Sequence, residues 1–253
     1  MNTKTQIATA AFIAVATSAS STFSDGIGSA KITENGNTVC ITSDGLPNHT
    51  TGDFPNRGNP HSISRQNISV CVDASPQKNA NATQIDRGAI GIAVNGVMIR
   101  PEAADYWDPN SRRGFSRTRS DWRVEPMGVP DALGLDVNNA HVDNRGIYHY
   151  HGKPEGLLSL INGTLVGYAA DGFEIHYVGT AAKPGWSLKT GTRPNGPGGA
   201  YDGTYIEDYE FTGGGNLDAC NGGTMNGQYT YFVTNTYPFY PRCLWGDVSS
   251  DFR

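Results

Sequence analysis

Apolar residues in this chain come in short runs that favour a period of two. Thr38-Val39-Cys40-Ile41-Thr42, Ile68-Ser69-Val70-Cys71-Val72, Ile90-Gly91-Ile92-Ala93-Val94 and Tyr229-Thr230-Tyr231-Phe232-Val233-Thr234 are rich in β-branched and aromatic residues. Such runs, bounded by turn-forming residues, predict strands. Asn95-Gly96 separates Ile92-Ala93-Val94 from Val97-Met98-Ile99. That dipeptide tolerates the positive φ of a tight hairpin turn, so the two runs should pair. No long 3.6-residue apolar period follows the first twenty residues. The best helical candidate is residues 154–162, where Leu157, Leu158 and Ile161 could share a face. With 32 Gly and 14 Pro breaking nearly every segment, the pattern predicts an all-β or β-dominated single domain. We expect a sandwich- or barrel-like architecture with long ordered loops at residues 48–64 and 183–203.

The start of the chain reads differently. Lys4 precedes an apolar, small-residue run from Ile7 to about Ala19, with Ala14-Val15-Ala16 and Thr17-Ser18-Ala19 as cleavage-like triplets. Residues 1–20 therefore read as a signal peptide and 21–253 as one exported domain, periplasmic or extracellular. No later stretch approaches a membrane span. Formal charge is −5, or −6 without Lys4, which argues against a nucleic-acid partner. Four cysteines in an exported chain predict two disulfides. Three pairings are open, and Cys40–Cys71 with Cys220–Cys243 is preferred because each pair sits within one local block. The basic stretch Arg112 to Arg123 either holds an anionic ligand or pairs with Asp105, Asp108, Asp121 and Glu125.

Candidate chemistry concentrates in Tyr148-His149-Tyr150-His151. On a strand His149 and His151 share one face while Tyr148 and Tyr150 pack on the other. Two imidazoles at that spacing can converge on copper or zinc, and His141 could swing back to supply a third nitrogen. His49 is the preferred distant ligand, and His61 divides evenly between ligand and surface residue. His176, Asp171 and Asp143 are possible additions, with a turn role the default for Asp171. An internal echo sharpens the reading. Residues 217–232 align with 135–151 with one deletion, and Leu, Asp, Asn, Gly and both tyrosines recur in register. His141, His149 and His151 become Gly223, Thr230 and Phe232, as expected of a site mounted on a repeated scaffold.

Several segments together resemble the YHYH-domain family of exported proteins. They are Gly146 to Gly152, Gly167 to Ile175, Leu217 to Gly222, Tyr237 to Cys243 and, near the start, Gly45 to Pro55. The resemblance covers roughly residues 40–250 and implies no particular activity. Against the family pattern, Glu174 and His176 replace its usual proline and tyrosine, and Thr230 stands where a histidine is frequent. Three function classes remain open. One is a metal carrier, sensor or metal-dependent activity with a metal ion or small extracellular ligand as partner. Another is a hydrolase or lyase on cell-wall or polysaccharide substrates using His, Tyr and Asp, with His49, Asp53 and His151 as a peptidase-like zinc set and His149 assisting water. The last is a carbohydrate- or peptide-binding module.

Overall fold

The computed structural model describes residues 28–252, so the signal segment expected at residues 1–20 lies outside the described residues. Strands β1 (Lys31–Asn35), β2 (Thr38–Ser43) and β3 (Ile68–Asp73) form an antiparallel sheet in chain order. The sequence alternation becomes alternating burial here. Val39 lies opposite Val72 and Ile41 opposite Val70, all four buried. Cys40 and Cys71 are also directly opposite and are bonded across a separation of 31 residues. Closing a loop of that length is worth about 3–4 kcal/mol through the unfolded chain. The second expected disulfide, Cys220–Cys243, is present too.

The main sheet has eight strands: β4 (Gly91–Ala93), β5 (Met98–Ile99), β6 (Ala140–Val142), β7 (Tyr148–Tyr150), β8 (Leu165–Ala169), β9 (Glu174–His176), β10 (Gly222–Met225) and β11 (Gln228–Phe232). Their order is β10-β11-β9-β8-β4-β5-β7-β6. This is one four-stranded unit used twice. At the centre β4 and β8 run antiparallel with Gly91 opposite Ala169 and Gly167 opposite Ala93, a register that survives exchange of the halves. Both glycines are required by close approach. A Cβ on Gly91 would lie 2.4 Å from the Tyr168 carbonyl, and one on Gly167 would lie 2.3 Å from that of Ile92. Each central strand returns through a tight turn, Asn95-Gly96 in one half and Asp171-Gly172 in the other. Each return strand then pairs in parallel with a tyrosine strand: Ile99 faces Tyr150, and Ile175 faces Tyr231. Antiparallel edge strands β6 and β10 complete the units. The duplication therefore spans residues 90–151 and 166–232, well beyond the two motif copies seen in sequence.

The small sheet covers the middle of one face. Val39, Ile41, Val70 and Val72 pack there against Ile92 and Tyr168. The opposite face carries the main core, with Ile99, Tyr150, Ile175 and Tyr231 packed among Tyr240 and Leu244. Burying side chains of this size stabilises the fold by roughly 1.5–3 kcal/mol each. The architecture is thus a sandwich, and the main sheet stays open because β6 and β10 do not pair.

Three expectations change in detail. The helical candidate shrinks to one turn, Glu155–Leu158. Residues 183–203 are more than a surface loop: Trp186–Leu188 pairs with Tyr209–Phe211, and buried Arg193 meets Asp208 at 2.7 Å. In the basic stretch, Arg119 and Arg123 pair with Asp86 at 2.6 and 3.0 Å, and Arg123 also pairs with Glu102. Among the described residues, the acids nearby in sequence are not their partners. The chain brings Asp86 and Glu102 in from outside the stretch.

Candidate metal centre

Two tyrosines anchor the strand that carries the histidines. Tyr148 Oη donates to Asp136 at 2.7 Å, and the same carboxylate accepts the Asn138 amide at 2.9 Å. Asn139, at φ 55°, then turns the chain into β6. Tyr150 Oη accepts from Asn95 Nδ2 at 2.9 Å and lies 2.6 Å from His49 Nε2. Both rings are fully buried. Because successive side chains alternate, fixing the tyrosines commits His149 and His151 to the other face.

On that face His141 of β6 lies directly opposite His149. The three ring centroids are 4.7–4.8 Å apart pairwise, and one ligand nitrogen from each ring lies within 4.8 Å of the others. Backbone carbonyls set two of the tautomers. His141 Nδ1 is 2.9 Å from the Leu133 oxygen and His149 Nδ1 is 3.0 Å from the Ile147 oxygen. A carbonyl only accepts, so each Nδ1 carries the proton and each Nε2 presents a lone pair. His151 Nε2 lies 3.1 Å from His141 Nε2. Its Nδ1, beside Pro101, is buried without a hydrogen bond of good geometry. Ligand nitrogens of a tetrahedral zinc site stand about 3.4 Å apart. One pair is near that spacing, and shifts on the order of 1 Å would complete it.

Burial keeps these rings neutral. It depresses the pKa of His141 and pushes His149 and His151 well below the ordinary imidazole range, with the neighbouring histidines adding to both. Neutral imidazole is the ligating form. The donor type, the neutral state and the tautomers of His141 and His149 are those that a transition metal requires.

The triad opens on a cleft of ≈ 830 Å³. His61 and Asp143 line the same cleft, Asp143 held by Arg100 at 2.8 Å. His49 does not join the triad. Its loop delivers it to the tyrosine face, stacked on Tyr150. The peptidase-like set His49, Asp53 and His151 is therefore not assembled. His176 and Asp171 belong to the other half of the sheet. His176 lies 2.7 Å from Glu174 and 2.9 Å from Thr164 Oγ1, and Asp171 accepts from Tyr231 and the Gly246 amide, each at 2.8 Å. Thr230 lies in that half too, donating to the Glu174 carbonyl at 2.7 Å, and among the described residues the histidine triad draws on the first motif copy alone. Sequence reasoning missed Arg100 and Glu102 and gave Asp105 only as a partner for the basic stretch, whereas all three line the cleft. The register would have found Arg100: Met98 pairs beside His149, and alternation puts Arg100 on the same face.

Neither the curated proteins nor the solved structures compared with the chain gave a match. The family model described as YHYH protein matches residues 69–246, a span holding both halves of the main sheet, and the chain belongs to the YHYH family.

Proposed function

We propose that this exported protein holds one transition-metal ion, copper or zinc, on His141, His149 and His151, with a further position facing the cleft. One observation carries the reading. Two backbone carbonyls pin the Nδ1 protons of His141 and His149, which leaves each Nε2 lone pair free, and one nitrogen from each of the three rings lies within 4.8 Å of the others. Outer hydrogen bonds of this kind orient metal-binding histidines generally. Export is supported by two disulfides, which belong in oxidising compartments. Among the described residues no helix is long and apolar enough to cross a membrane.

The experiment is elemental mass spectrometry of protein purified without chelators or a histidine tag, beside His149→Ala/His151→Ala. Near-stoichiometric copper or zinc in the parent and none in the folded variant is the expected outcome. Equal metal in both, or none in either after equilibration with both ions, overturns the reading. The open cleft also favours a second reading, a metal-assisted hydrolase or lyase, since an ion there would act as a Lewis acid toward a bound ligand. That reading expects turnover of a cell-wall or polysaccharide substrate that chelation abolishes and zinc or copper restores.

A further inference from the structure

Five arginines line the cleft beside the triad: Arg87, Arg100, Arg113, Arg117 and Arg145. The chain as a whole is acidic, at −5, so this concentration runs against its average. Four carboxylates line the cleft too, Glu102, Asp105, Asp143 and Asp251. The balance turns on which charges are already met. Asp143 is engaged by Arg100 at 2.8 Å, by Arg145 at 3.4 Å and by the amides of Arg145 and Ile147. Glu102 pairs with Arg123, which is outside the lining. Asp251 accepts the Cys71 amide at 2.9 Å.

The cations are less completely matched. Arg87 lies over the Tyr106 ring at 5.4 Å. Arg113 lies over Phe115 at 4.6 Å and donates to the Ala132 carbonyl. Neither arrangement cancels a charge. Arg117 is exposed and, among the described residues, forms no ion pair. Among the described residues, three guanidinium groups are thus left without a carboxylate, against Asp105 and Asp251, whose one amide contact cancels no charge either, on the other side. Planar guanidinium groups present paired N–H donors matched to carboxylate and phosphate oxygens.

We propose that the cleft binds a small oxyanionic ligand, a carboxylate or a phosphate, held by Arg113 and Arg117 with an oxygen turned toward the histidine triad. The contact at the triad rests on the metal reading above; the arginine contacts do not. The test is isothermal titration of the full, zinc-equilibrated chain with inorganic phosphate and with glucuronate, using glucose as the uncharged control. Arg113→Gln/Arg117→Gln is measured alongside, with its unfolding midpoint. We expect one anion to bind, glucose to give no heat, and affinity to fall at least about tenfold in the double variant and with added salt. Whichever anion binds more tightly identifies the source of the oxyanion. Arg117→Gln alone, which leaves the Ala132 and Phe115 contacts intact, should show a smaller loss in the same direction. Equal affinity in parent and variants, or no heat with either anion, overturns the proposal. Zinc content of the same samples separates the two readings. Zinc bound without arginine-dependent anion binding sinks this inference alone. Arginine-dependent binding without zinc sinks the metal site alone.

Discussion

At the outer end of one half of the main sheet, His141, His149 and His151 face a cleft. At the matching end of the other half the same three positions are Gly223, Thr230 and Phe232. The backbone is shared to the level of register: His149 pairs with His141, and Thr230 with Gly223. So are the anchors, Tyr148 to Asp136 at 2.7 Å and Tyr229 to Asp218 at 2.8 Å. Both units turn on a left-handed asparagine, Asn139 at φ 55° and Asn221 at φ 60°. What differs is the filling. Phe232 packs with Leu217 and Ala182, backed by Val178 and Met225, while Thr230 donates to the Glu174 carbonyl at 2.7 Å. The second half shows that the unit folds with an apolar cluster at this end. Two buried imidazoles and a half-buried third are therefore not required by the backbone unit itself.

The most direct way to break this comparison is to write the second half's residues into the first. His141→Gly/His149→Thr/His151→Phe should fold with an intact cooperative transition yet fall from one bound ion per chain to none. Elemental analysis and urea unfolding of the same preparation check both parts. Collapse of the fold would mean that the histidines are structural.

Next in size is the converse in stability. Phe232→Ala removes a ring from a packed cluster and should cost about 3–5 kcal/mol. His151→Ala, in metal-free protein, removes a polar ring whose Nδ1 lacks a hydrogen bond of good geometry, and should cost less than about half as much. Urea midpoints in the presence of a chelator compare them. Equal losses would erase the distinction between a packed end and a functional end.

How far the site was legible in the sequence follows from the range of each interaction. Alternation of His and Tyr is a property of neighbours, so the two faces of β7 could be read directly. The echo at residues 217–232 was visible because its tyrosines and aspartate lie within one short block. The larger duplication was not, since equating Asn95-Gly96 with Asp171-Gly172 needs the central pairing of β4 with β8. Gly91 and Gly167 look like ordinary breaks until their partner strands are known. His49 was misplaced for a similar reason. A Gly- and Pro-rich loop can deliver a side chain to either face, and its partner Tyr150 is 101 residues away. The cleft arginines come from several separate segments, and only the tertiary fold reveals which of their charges are met.

A smaller test sharpens the equivalence of the anchors. Tyr148→Phe and Tyr229→Phe each delete one hydrogen bond to a carboxylate and should each cost about 1.5–3 kcal/mol. The two losses should agree within about 0.5 kcal/mol if the units are energetic as well as geometric copies. A large disagreement would show that one half carries the stability of the sheet.

The smallest expected effect per residue is electrostatic, and its sign is fixed by burial. His149 and His151 are held well below the ordinary imidazole range and His141 below it, each chiefly by desolvation. In the unfolded chain the same rings take up protons near pH 6.5. Below that pH the unfolded state binds more protons than the folded one, so acid favours unfolding. The stabilisation is complete above the unfolded pKa and is lost as pH falls toward the folded values. For His149 and His151, held well below that range, the loss between pH 7 and pH 6 is about 0.7 kcal/mol each, and His141 adds a smaller loss of the same sign. Metal-free parent protein should therefore lose at least about 1.4 kcal/mol more over that interval than His141→Gly/His149→Thr/His151→Phe. Urea unfolding of the two chelated proteins at each pH measures it. Parallel losses would mean that the three imidazoles protonate freely in the folded state, which buried rings converging on one point cannot do, and the contrast between the two ends of the sheet would then lack its electrostatic basis.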